Sequence, residues 1–76
     1  MNVIKEHERV VLTADIPKEG LTAGDVGTVV HVYRNGAAFE VEFVALDGET
    51  IAIATVERAH VRPAAHREIT HARQVA

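Results

Sequence analysis

Apolar and polar positions alternate along short segments of this chain, and glycine and proline separate the segments. The first segment runs from Arg9 to Thr13 and the second from Val26 to Arg34. Turn-forming pairs follow at Asn35-Gly36 and Asp47-Gly48, and the pattern ends at Pro63. Short strands with regularly spaced turn residues between them are typical of a small barrel or sandwich. The pattern therefore predicts an all-β domain.

The pair Asn35-Gly36 predicts the first hairpin. Both central residues of a type I′ turn need positive φ, which asparagine and glycine adopt at low cost. A two-residue loop fixes the pairing of the strands, and side chains then alternate between two faces. The predicted core face pairs Val32 with Phe39, Val30 with Val41 and Thr28 with Phe43, and the outer face pairs Tyr33 with Ala38, His31 with Glu40 and Val29 with Glu42.

The second hairpin allows two loop lengths. A two-residue loop at Asp47-Gly48 would leave both Ile51 and Ile53 outside the core. A three-residue loop that starts at Leu46, with the glycine in the left-handed conformation and a bulge there, places them opposite Phe43 and Val41. The hydrophobic pattern favours the three-residue loop. The predicted core then consists of Val10, Leu12, Val30, Val32, Phe39, Val41, Phe43, Ile51 and Ile53.

The remaining segments complete the predicted architecture. A long loop (14–24) follows the first strand, residues 57–60 fit one 3₁₀ turn, and Val61-Arg62 fits a last short strand. Five short strands with these connections describe an SH3-like barrel, which we predict for residues 1–63. Residues 64–76 are rich in alanine, arginine, glutamate and glutamine. They suit either a frayed tail or a short helix that forms on contact with the barrel or a partner.

Composition narrows the class of protein. A chain of 76 residues holds one domain with a small core. The absence of cysteine excludes disulfides and thiolate sites, and the apolar runs are too short to cross a bilayer. The charged segment Met1–Arg9 has no apolar signal core, so we expect a cytoplasmic location. The net charge of −3 leaves no surplus of cations to neutralise phosphates, which disfavours nucleic acid as a partner.

No pattern predicts a catalytic, cofactor or metal site. His31 opposite Glu40 comes nearest to an acid–base pair, but no nucleophile or third orienting group accompanies it. His66 and His71 do not have the spacing of metal ligands on a helix. The glycine-rich segment Gly20–Gly27 precedes a strand and contains no lysine, unlike a phosphate-binding loop. We therefore expect a protein that is not an enzyme and binds no cofactor or metal.

The outward face of the first hairpin is the candidate interaction surface. It mixes apolar side chains with an acidic edge, which is typical of a partner site or of a face that the tail covers. Its lone tyrosine beside carboxylates is a poor platform for stacking nucleic-acid bases. The residues of this candidate surface are Val29, His31, Tyr33, Glu40, Glu42 and Val44.

Several segments together carry a family resemblance. They are Arg9–Leu12, Asp15–Pro17, the run from Gly20 to Val30, Tyr33, Glu40–Phe43, Asp47-Gly48 and Val61–Pro63. Over residues 4–63 they resemble the small bacterial proteins grouped as domain of unknown function 4926. The resemblance implies a stand-alone SH3-like barrel in the bacterial cytoplasm, encoded beside another small protein as in toxin–antitoxin or immunity pairs. The run Leu21–Val29 is also similar to the KOW element of ribosomal and transcription-elongation domains, although RNA-binding versions are basic.

Three functions remain open at this point. The first is a non-catalytic protein-interaction module, the antitoxin-like, immunity or regulatory partner of a neighbouring gene product or of a second copy of the chain. The second is a KOW-like nucleic-acid binder, and the third is an accessory subunit of an enzyme. Candidate cations for the second are Arg34, Arg58, Arg62, Arg67 and Arg73. The acidic charge and the half-apolar outer face favour the first.

Overall fold

The computed structural model describes residues 3–75. The predicted start of the barrel at residue 1 and the predicted end of the tail at residue 76 lie outside the described residues. Its elements are strands joined by loops and by two short 3₁₀ turns, which confirms the all-β prediction. The strands are β1 (Arg9–Leu12), β2 (Val26–Tyr33), β3 (Ala38–Val44), β4 (Thr50–Glu57) and β5 (Val61–Pro63), and the 3₁₀ turns are Pro17–Glu19 and Arg58–His60.

The five strands form one antiparallel sheet in the order β4-β3-β2-β1-β5. The short strand β5 pairs with β1, where Val10 lies opposite Pro63 and Leu12 opposite Val61. β4 and β5 occupy the two edges and, in the described part of the chain, do not pair with each other. Hydrogen bonds therefore do not close the sheet into a barrel.

The core lies on the inner face of this sheet. Val10, Leu12, Phe39, Val41 and Phe43 are buried as predicted. Side chains outside the predicted set also belong to it, namely Ile4, Leu21, Val29, Ala54, Val56 and Val61, with Val32 and Ile16 packed against its margin. Val11 is also buried, but it is not part of this cluster. Among residues 3–75, no polar or charged residue is buried. The core is therefore purely apolar, and polar groups are confined to the surface.

A β-bulge in β2 changes which valine enters the core. Near the turn the predicted pairing holds, with Val32 opposite Phe39. The register then shifts, so that Val29 rather than Val30 lies opposite Val41. Because alternate side chains point to opposite faces, the shift buries Val29 completely and leaves Val30 42% exposed. The predicted positions of these two valines were wrong for this reason.

Gly27 shows how closely β2 approaches the inner face of β3. A Cβ atom at this position would lie 2.5 Å from Cγ1 of Val41 and 2.9 Å from Cε2 of Phe43. The side chains of Val41 and Phe43 and the carbonyl oxygen of Glu42 thus occupy the space that a side chain at position 27 would need. Glycine is required here for close packing, since its φ is not in the left-handed region.

The second hairpin begins with the predicted three-residue loop. The backbone N–H of Ala45 donates to the carbonyl of Glu49 across 2.8 Å, which encloses residues 46–48. Gly48 has a φ of 95°, the left-handed conformation expected of it. The loop itself is therefore as predicted.

Beyond this loop the pairing of β3 with β4 shifts by one residue. The irregularity follows the pair Val44–Thr50, and Val41 then lies opposite Ala54 instead of Ile53. Ile53 is 53% exposed and Ile51 is only half-buried, whereas Ala54 is almost fully buried. The prediction that both isoleucines belong to the core was wrong, because a bulge outside the turn reversed the faces of the strand.

The tail follows a non-helical path beside the sheet. Residues 64–75 contain a turn but no helix. The guanidinium of Arg73 pairs with the carboxylate of Asp25 in the loop before β2, with Nε 2.8 Å from Oδ1, and also donates to the carbonyl of Gly20. Arg62 of β5 pairs with Glu68. These ion pairs, rather than a helix, hold the tail against the domain.

Candidate functional site

We use "outer face" for the side of β2, β3 and β4 that points away from the core. The predicted residues His31, Tyr33, Glu40, Glu42 and Val44 all lie on it. Val29 does not, because the bulge in β2 buries it in the core. It is therefore removed from the candidate surface.

Glu40 is the centre of a hydrogen-bond network on the outer face. Its Oε1 accepts a bond of 3.1 Å from the hydroxyl of Tyr33 and one of 2.8 Å from the hydroxyl of Thr55. The ring of His31 meets the ring of Tyr33 edge to face, with centroids 4.5 Å apart. Because the carboxylate binds the neutral phenol, Glu40 raises the pKa of Tyr33 above its usual value.

Glu42 has a separate partner one step along the same strand. The hydroxyl of Thr50 donates to its Oε2 across 2.8 Å. In both cases a threonine of β4 orients a carboxylate of β3. The result is a row of two fixed negative charges along the middle strand of the outer face.

Exposed apolar side chains surround these carboxylates. Tyr33, Val44 and Ile53 are 37%, 47% and 53% exposed, and Val30 joins them at the bulge. Sequence reasoning missed Ile53 and Val30 as surface residues. For β4 no signal could have found this, because Ile51, Ile53, Ala54 and Val56 make both faces of the strand apolar.

His31, which was predicted to pair with Glu40, has its imidazole nitrogen near a different carboxylate. His31 and Glu40 are opposite each other in the ladder, as predicted. However, the Nδ1 of His31 lies 3.9 Å from the carboxylate of Glu6, and Glu40 binds hydroxyl groups instead. Within residues 3–75, no three histidine, aspartate or glutamate side chains are grouped to hold a metal. The outer face thus offers oriented hydrogen-bond acceptors and apolar contacts.

The basic residues are partly engaged in ion pairs. Arg62 binds Glu68, and this bond together with one from the N–H of Ala65 lowers the pKa of Glu68 to about 2. Arg73 binds Asp25 and lowers the pKa of that carboxyl. These contacts reduce the number of cations available to phosphates. Across residues 3–75, no helix has the length and apolar character needed to cross a membrane.

The fold and the outer face together define a small all-β protein built on a single antiparallel sheet. The chain belongs to the family described as domain of unknown function (DUF4926), whose model matches residues 6–63. This confirms the resemblance drawn from the turn and core motifs, and the matched segment includes all five strands but not the tail. No curated protein and no solved structure shows significant similarity to the chain.

Proposed function

We propose that the protein is a non-catalytic interaction module, the antitoxin-like, immunity or regulatory partner of another bacterial protein. The outer face is the observation that carries this proposal. Apolar groups at Tyr33 and Val44 flank the carboxylates of Glu40 and Glu42, and neighbouring hydroxyls hold those carboxylates in place. Preoriented acceptors within an apolar surface lower the entropy lost when a partner binds.

The chemistry of the outer face defines the partner. Two carboxylates on one strand favour a protein that presents arginine, lysine or other donors at matching positions. The apolar side chains around them favour apolar side chains at the facing positions of that protein. The net charge of −3 supports the same choice, because it attracts a basic partner over longer range.

The fold belongs to the same proposal. We propose that the sheet curves into an SH3-like barrel in which the edge strands β4 and β5 do not hydrogen-bond to each other. The strand order, the long loop after β1 and the 3₁₀ turn before β5 support this assignment. A cytoplasmic location fits a chain without cysteine.

Co-purification from the native host tests the function. A tagged chain is expected to retain one basic protein, and Val44→Asp is expected to weaken retention at least about tenfold by placing a charge in the apolar part of the interface. Ile69→Asp is the matched control, because Ile69 is 91% exposed and lies in the tail. The purified pair is then compared by calorimetry. Equal binding by wild type and Val44→Asp would overturn the proposal, as would the lack of any protein that binds.

A further inference from the structure

The outer edge of β4 presents backbone groups to which no strand within residues 3–75 bonds. The N–H of Arg58 donates to the carbonyl of Ala37 across 3.1 Å, and the β3–β4 pairing continues in phase with this bond. In an antiparallel pair, residues that bond to the neighbour alternate with residues whose backbone groups point the other way. Residues 52, 54 and 56 therefore bond to β3, and residues 53, 55 and 57 direct their N–H and C=O groups to the open edge.

The opposite edge of the sheet is protected. β5 has three residues and ends at Pro63, which has no N–H to offer. The tail follows directly after it, and Arg62 of β5 forms an ion pair with Glu68 of the tail. Short length, proline and coverage are the usual means by which proteins prevent strand pairing at an edge.

The edge at β4 has none of these protections within the described residues. The strand has eight residues, and the stretch from Thr50 to Val56 contains no charge, proline or glycine. It is rich in β-branched residues, and Ile53 is half-exposed on it. A segment of this kind is the sequence signature of pairing between chains.

We propose that the open edge of β4 pairs antiparallel with β4 of a second copy of the chain. The two five-stranded sheets then continue into each other across a two-fold axis. A second copy is the partner that fits, because the stretch from Thr50 to Val56 carries no charge and can pair antiparallel with itself without bringing carboxylates together. The net charge of −3 on each chain disfavours contact between two copies at acidic parts of the surface.

The charges at the ends of β4 distinguish the two registers centred on the strand. An axis at Ile53 would set Glu57 opposite Glu49 of the second copy, which is unfavourable. An axis at Ala54 sets Ile53 opposite Thr55 of the second copy, and both have backbone groups that point outward. Glu57 then faces an isoleucine instead of a carboxylate. The proposal therefore places the axis at Ala54.

This interaction goes beyond the proposed function, because it uses the strand edge and does not depend on any other protein. Sedimentation of the purified chain tests it over a range of about 1 to 200 μM, which suits a small interface. The mass is expected to rise from 8.3 kDa toward twice that value. Ile53→Lys is expected to weaken association at least about tenfold, because it places a charge at the centre of the edge.

Two controls distinguish association through the edge of β4 from association through another surface. Ile69→Lys makes the same change at an exposed position in the tail and is expected to associate like wild type. Hydrogen exchange on the wild-type protein adds a readout that needs no variant: the amides of Ile53 and Thr55 are expected to become protected as concentration rises. A wild type that stays monomeric at all concentrations overturns the proposal, as does a dimer in which these amides exchange freely. Neither result affects binding of another protein to the outer face.

Discussion

One oxygen of Glu40 connects side chains from three strands. Tyr33 of β2 and Thr55 of β4 both donate to its Oε1. A carboxylate only accepts hydrogen bonds, so each hydroxyl has to act as the donor, and the phenol must keep its proton to do so. This single side chain therefore couples the orientation of the outer face to the protonation of Tyr33.

The coupling predicts an alkaline shift in the titration of Tyr33. Tyr33 is the chain's only tyrosine and there is no tryptophan, so absorbance near 295 nm reports on it alone. Its midpoint is expected above the usual 10.0, because Glu40 stabilises the neutral phenol. Glu40→Gln is expected to lower the midpoint toward 10.0, since the charge is gone. Glu42→Gln is the control, because Glu42 binds Thr50 instead, and an equal effect of both variants would contradict the assignment.

At the scale of elements, turns were predictable and bulges were not. The left-handed conformations at Asn35 and Gly48 follow from residue type and appear in the structure. The bulge in β2 determines whether Val29 or Val30 enters the core. Both residues are valines, so each fits the core equally well by type. Residue type alone therefore does not decide which of the two enters the core.

The same limit applies to the candidate site. Side chains next to the first turn, such as Tyr33 and Glu40, were placed correctly because the register near a turn is local. The threonines that orient the carboxylates were not foreseen. The position of Thr55 depends on the shifted register of β4, whereas Thr50 keeps the predicted register opposite Val44 and no pattern singled it out as a partner of Glu42. Val29 was misplaced because a bulge changes the face of every residue beyond it.

The register of β4 predicts which substitutions by alanine in this strand destabilise the domain. Val56 is 2% exposed, so Val56→Ala is expected to lower the free energy of unfolding by about 2 kcal/mol. Ile53→Ala removes more atoms, yet it is expected to cost less than about 1 kcal/mol because Ile53 is half-exposed. Urea unfolding at low protein concentration measures both. If Ile53→Ala lowers the free energy of unfolding more than Val56→Ala does, the register in which Ile53 lies opposite Val41 would be correct instead.

At the scale of the whole molecule, ion pairs attach the tail to the sheet. Arg73 reaches from the tail to Asp25 before β2, and Arg62 reaches from β5 to Glu68 in the tail. Apolar packing contributes little here, since Ile69 is 91% exposed. The sheet rests on an apolar core and the tail on charge, so the two should respond differently to acid.

Acid is therefore expected to release the tail before the sheet unfolds. Arg73 lowers the pKa of Asp25, and Arg62 lowers the pKa of Glu68 from 4.5 to about 2. A carboxyl whose pKa is lower in the folded state stabilises that state above its unfolded pKa, and the contribution disappears as pH falls toward the folded value. Amide chemical shifts of residues 70–75 are expected to move toward disordered values between about pH 5 and pH 2, while those of β3 stay unchanged.

Arg73→Gln is expected to release residues 70–75 already at neutral pH, because it removes the charge that binds Asp25. Shifts of the tail and of β3 that change together would show instead that the tail and the sheet form one cooperative unit.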